Sequence, residues 1–233
     1  MGNQNSYEQA MNAGHNAAWD QEWQLAVAAY GRAIREFPED PEAHIHLGLG
    51  LAEIGRLEDA LKVYSRAYTL SQKTDPIPLE KSADVLEKMG RLREAAQQYA
   101  NVAEVYLGQR DLDKAISNWE RATRLTPGLI PIHIKLAQAY ERIGDKKKAI
   151  FEYLTLAYNF KRVNDIDKAT KVSQRALRLD KNNAQILNTL RLLETDGDIL
   201  PPPGDVTARP VIDEDDEGSK DDLSDDDPAG PLG

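Results

Sequence analysis

The chain holds 233 residues, enough for one or two domains with a sizeable core, and 41% of them are hydrophobic but only 6% aromatic. It has no cysteine, which excludes disulfide scaffolds, thiolate metal centres and a cysteine nucleophile, and fits a reducing, cytoplasmic compartment. The net charge of -10 belongs to the end of the chain: residues 196–233 carry 13 acidic and 2 basic side chains, whereas residues 111–195 carry 16 bases against 10 acids.

The N-terminus, MGNQNSYEQA, has no basic stretch followed by an apolar one, so it reads as no secretory signal. No apolar run approaches the roughly 20 residues of a membrane span. Gly2 and Ser6 match a short acylation pattern, but no polybasic second signal follows to make an anchor stable. Residues 1–6 are expected to be flexible. From Tyr7 to Thr195 the composition favours helix, rich in Ala, Leu, Glu, Lys, Arg and Gln, and the apolar residues recur at helical spacing. Gly55, Gly90 and Gly144 mark helix ends, and Pro38, Pro41, Pro76, Pro78, Pro127 and Pro131 punctuate other junctions.

One element recurs along this region: a small residue, an aromatic four places on, and a small residue three further. It appears as Ala26, Tyr30 and Ala33, then as Ala60, Tyr64 and Ala67, and then as Ala95, Tyr99 and Val102. It continues as Ala115, Trp119 and Ala122, as Ala149, Tyr153 and Leu156, and in weakened form as Ala169, Ser173 and Ala176. Ala26 to Ala60 and Ala115 to Ala149 are steps of 34, and Ala60 to Ala95 is a step of 35. Ala95 to Ala115 and Ala149 to Ala169 are steps of only 20, so the two blocks repeat each other at 54. A 20-residue step leaves no room for a separate helix pair. It predicts one long helix over about 92–108 and another over about 146–161, each closing one unit and opening the next. Residues 183–195 read as a polar-faced terminal cap. Residues 196–233, acidic and containing three consecutive prolines, read as a disordered tail or linker.

Ahead of the recurring element stand Ala13-Gly14-x2-Ala17, His44-x2-Leu47-Gly48-x2-Leu51 and His133-x2-Leu136-Ala137-x2-Tyr140. Together these resemble the tetratricopeptide repeat (TPR) family, whose unit is a helix pair of 34 residues. The resemblance covers residues 7–195. It implies an all-α, right-handed αα-solenoid of helix pairs, with irregular three-helix units of 54 residues in the second half. It also implies a non-catalytic scaffold or adaptor that binds a peptide or protein partner in its concave groove. The groove places it implies are Met11, His15 and Trp19, then Ile45, Leu49 and Glu53. Glu80, Asp84, Glu87 and Lys88 follow, and after them Ile134, Gln138, Glu141 and Arg142. Trp19 would either anchor a partner or shield the open N-terminal end. Some relatives clamp the terminal carboxylate of a chaperone with Lys, Asn and Arg. The matching places here hold Met11, His15, His46, Ile77 and Lys81, so that ligand is not expected. The alternative function is the regulatory or interaction region of a larger enzyme or signalling protein, joined to its other domain through the acidic tail.

Other motifs carry less. His44 and His46 lie two apart, so on a helix they point away from each other and cannot share a metal ion. Gly48-x-Gly50 falls inside a helix rather than after a strand, which excludes a phosphate loop. Asp213 to Ser224 has the sixth-place glycine of a calcium loop but Ser224 where a bidentate Glu is needed. Lys146, Lys147 and Lys148, with Lys161 and Arg162, have no interleaved aromatics or nucleic-acid motif. They form a solvated face or meet an acidic partner, the chain's own tail included. No catalytic residue, cofactor or metal ligand is expected, and no nucleic-acid partner.

Overall fold

The computed structural model describes residues 2–202, and every regular element among them is a helix. The helices are α1 Gln4–Trp19, α2 Trp23–Glu36, α3 Pro41–Glu53, α4 Leu57–Leu70, α5 Ile77–Lys88 and α6 Leu92–Gly108. They continue as α7 Leu112–Leu125, α8 Ile130–Ile143, α9 Lys146–Arg162, α10 Ile166–Leu179 and α11 Ala184–Glu194. α1 starts ahead of Tyr7, because the Asn3 side chain caps it by accepting the Ser6 N–H. Asn3 is itself tied down, its N–H donating to Glu36 Oε2 at 2.9 Å. Asp40 caps α3 with two such bonds, and Asp111, Asp145 and Asp165 each accept the N–H three residues on, which starts α7, α9 and α10.

Eight of the turns between successive helices hold a left-handed residue, Gln72 and Lys73 after α4 and Gly128 before α8 among them. Gly55, Gly90 and Gly144 supply it with φ of +80°, +73° and +81°, where L side chains are strained. Gln21, Arg110 and Asn164 take the same conformation without being glycine, at φ of 60°, 64° and 60°. Glycine spacing alone therefore marks only half of these turns.

The recurring element is the packing code. Ala26, Ala33, Ala60 and Ala67 are fully buried, and Tyr30 and Tyr64 lie beside them at 2% and 1% exposure. Each ring presses on the preceding helix where that helix has no side chain, Tyr30 on Gly14 and Tyr64 on Gly48. His44 and His133 stand where the family places a packing Trp, and both are buried. His133 Nδ1 and Glu152 Oε2 lie 2.7 Å apart, a buried link between α8 and α9. The core is a chain of clusters, each shared by neighbouring helices, which is the layout of a stacked solenoid.

The short steps produce the two long helices that they require. α6 and α9 are both 17 residues. α6 packs against α5 and α7, and α9 against α8 and α10. α6 accordingly buries residues along its whole length, Ala95 and Tyr99 in one core cluster and Val102, Ala103 and Tyr106 in the next, and each cluster takes in residues of both α5 and α7. Packing also runs past the cap. Asp196 pairs with Lys161, Ile199 is 8% exposed within the terminal cluster that holds Leu154, Ile186 and Leu193, and Pro202 is buried. The segment expected to be loose from 196 is thus packed through 202. The rest of the tail, with the calcium-like stretch Asp213 to Ser224, lies outside the described residues.

Candidate functional site

α3 and α5 lie side by side and leave a hollow of about 480 Å³ between them. Helical spacing aims Leu49, Ala52 and Glu53 of α3 into it, and Lys81, Asp84, Val85, Glu87 and Lys88 of α5. Leu49, Ala52 and Val85 make an apolar floor beside the Tyr64 ring. The rim charges are largely matched. Lys88 Nζ lies 3.6 Å from Glu53 Oε1. Arg121 reaches in from α7, its Nη2 3.0 Å from Asp84 Oδ1 and 2.7 Å from Glu87 Oε2. Its guanidinium lies over the Tyr99 ring, 4.2 Å from the centroid. The Tyr99 hydroxyl is 2.7 Å from Asp84 Oδ1 and 2.9 Å from Glu87 Oε2, sharing its one proton between them. Burial, reinforced by these carboxylates, holds the Tyr99 hydroxyl well above the usual phenol range, so it stays a donor.

The second three-helix unit repeats this device. Arg175 of α10 grips Glu141 of α8 with Nε at 3.1 Å and Nη2 at 2.6 Å, and lies 5.4 Å from the Tyr153 centroid. Its hydrogen bonds hold the Glu141 carboxyl below the usual carboxylate range. Arg121, Tyr99 and Glu87 each recur 54 residues on, as Arg175, Tyr153 and Glu141, while Asp84 gives way to Gln138. Neither arginine is among the groove places that the sequence implied. The 54-residue alignment of the two blocks carries the signal, since it superposes them.

Of the expected groove residues, the hollow gathers Leu49, Glu53, Asp84, Glu87 and Lys88. Met11 is 6% exposed and packs in the first core cluster beside Ala10, Ala17 and Tyr30, so it serves the fold rather than an open face. His15 is exposed, its ring 4.6 Å from the His46 ring, which in turn stacks on Tyr30 at 5.3 Å. His44 turns away, its Nδ1 2.8 Å from the Asp40 carbonyl oxygen. Trp19 is 88% exposed at the end of α1, and Ile45 is half-buried. Gln138 and Arg142 are exposed on α8. Glu80, also expected at the groove, accepts the Tyr106 hydroxyl at 2.8 Å. Among the described residues no three His, Asp or Glu side chains are arranged to hold a metal ion.

The chain is 28% identical over 99 residues to a TPR repeat-containing protein of Methanocaldococcus jannaschii, an alignment covering 41% of this chain and 26% of that protein. The chain thus spans about a quarter of that relative's length. Its fold is similar to MamA from Desulfovibrio magneticus, at a TM-score of 0.38 and 18% identity over 77% of this chain and 97% of that one. It is also similar to the TPR2B domain of yeast Sti1, described as a pHsp70 complex, at a TM-score of 0.46 and 16% identity over 51% of this chain and 97% of that one. The family model for the tetratricopeptide repeat matches residues 12–74 and 103–165, two stretches separated by residues 75–102. These matches take in more than half of the chain, and with the helix pairs and their buried Ala–Tyr contacts they make it a member of the tetratricopeptide repeat family.

Proposed function

We propose that this chain is a non-catalytic interaction scaffold of the cytoplasm that binds a peptide or protein partner in the α3–α5 hollow. The observation that carries the reading is an apolar floor of Leu49, Ala52 and Val85 inside a rim of equal charge. Glu53, Asp84 and Glu87 face Lys81, Lys88 and Arg121. A neutral rim gives a bare terminal carboxylate little net attraction, which supports an internal segment as the ligand. One aliphatic side chain buried on that floor contributes about 1.5–3 kcal/mol, and the rim charges set orientation and rate. Trp19 offers a second anchor of the kind that dominates binding energy.

The test is affinity capture from the native host followed by titration of the purified prey. A Trp19→Ala, Leu49→Ala double variant that keeps its helical circular dichroism is expected to lose the prey. Undiminished affinity in that variant rejects the hollow.

A second reading concerns the tail. The mildly basic second half and the pair between Asp196 and Lys161 support an intramolecular contact of the acidic tail with residues 111–195.

A further inference from the structure

Residues 196–202 describe a path. Asp196 sits at Lys161, near the C-terminal end of α9. Ile199 enters the terminal core cluster, which includes Ile150 and Leu154 of α9. Pro202 lines a second hollow, of about 510 Å³, at the opposite end of α9. The chain therefore runs back along α9 from its last turn to its first. It leaves the described region at the mouth of a hollow floored by Ile150, Phe151 and Leu154 and rimmed by Lys146 and Lys147, with Asp180 across the rim accepting the Asn182 N–H and the Asn183 side chain. Of the remaining α9 cations, Lys148 is engaged by Glu120 and Lys161 by Asp196, and Arg162 lies at the far end over the Tyr158 ring, whereas Lys146 and Lys147 at the hollow pair with no carboxylate among the described residues.

We propose that this hollow is the seat of the chain's own segment 203–217. The segment has the composition that the hollow asks for. Val206, Val211 and Ile212 supply aliphatic side chains for the floor, and Asp213, Glu214, Asp215, Asp216 and Glu217 supply the anions for the lysines. Reach is not limiting, because each extended residue adds up to about 3.3–3.6 Å and the tether starts at the hollow itself. Tethering matters energetically. A short flexible link gives an effective concentration of about millimolar, so weak contacts suffice to keep the site occupied in cis. The hollow is then a second binding surface, distinct from the one between α3 and α5. This inference rests on the reading that the tail contacts the second half, and gives that contact an address.

The absence of cysteine provides the experiment. In the full chain, Ser219→Cys creates a single attachment point for a nitroxide spin label just beyond the proposed segment. With the label oxidised, amide signals of Lys146–Leu154 and Asn183–Gln185 are expected to broaden. With the label reduced they should recover. A Lys146→Glu, Lys147→Glu variant should lose the broadening, as should the wild-type rim at high salt if charge holds the segment. Phe151→Ala tests the floor separately. Broadening confined to other surfaces of residues 111–195 overturns the address but leaves the tail contact standing. No broadening anywhere overturns both.

Discussion

Gly48 lacks a side chain because Tyr64 occupies the space: a Cβ there would lie 2.5 Å from the ring's Cε1, and the ring is 1% exposed with nowhere to go. Gly48→Ala is expected to destabilise by about 1–3 kcal/mol, the usual cost of overpacking. Gly31, inside α2, has nothing within 4 Å, so Gly31→Ala should stabilise by about 0.5–1 kcal/mol. Urea midpoints moving in opposite directions check the pair. His46 makes a residue-scale prediction about pH. Burial, and then the facing His15, hold it below its ordinary 6.5, while Glu42 and Asp40 pull the other way. A histidine with a depressed folded pKa binds fewer protons folded than unfolded. Its contribution is therefore complete above about pH 6.5 and turns against the fold as pH falls toward the depressed value. The denaturation midpoint should drop between pH 7.5 and 5.5, and His46→Gln should flatten that slope. The sequence placed Gly48 inside a helix and separated His44 from His46. It could not pair His46 with His15, because that contact joins two helices 31 residues apart.

At the scale of elements, the three-helix unit is held by a clasp as well as by its core. α6 lies between α5 and α7, and Arg121 closes over the Tyr99 ring to reach Asp84 and Glu87. Asp84 and Glu87 lie one turn apart on α5 and share the Tyr99 proton, so losing the arginine leaves two facing anions uncompensated. Arg121→Ala is expected to cost about 1 kcal/mol, since the clasp is partly exposed and screened. Arg121→Lys should recover only part of it, because lysine lacks the planar fork that stacks and bridges. A double-mutant cycle with Glu87→Gln should show coupling of about 0.5–1 kcal/mol, and additivity would deny the clasp. Glu87 and Glu141 were expected as groove charges, and each has its charge met by an arginine from the third helix of its own unit. The long helices themselves were legible from the 20-residue steps, since fewer residues than two helices and a turn require must form one.

The whole molecule is a row of neighbours, so damage should stay local. Ile199 belongs to the terminal cluster alone. Ile199→Ala removes a buried side chain worth about 2 kcal/mol or more in a packed site. Hydrogen exchange should speed up in α9–α11 first and leave α1–α4 as protected as before. Uniform acceleration along the chain would mean that the stack unfolds as one cooperative unit instead. The same end of the molecule decides where the tail begins its course, since Asp196, Ile199 and Pro202 lead it to Lys146 and Lys147.

Periodicity along the sequence was enough to determine the helices, their phase and their slips, because a 3.6-residue repeat records which residues share a face and how many residues each turn consumes. It also put Ala26, Ala60, Ala95, Ala115, Ala149 and Ala169 at one recurring place, and all six are buried. Which faces meet is a different kind of fact. Arg121 reaching Glu87 across 34 residues, Met11 turning inward and Ile199 folding back onto α9 all depend on how helices lie against one another in space. Local spacing holds no record of those angles, and only the tertiary packing decided them.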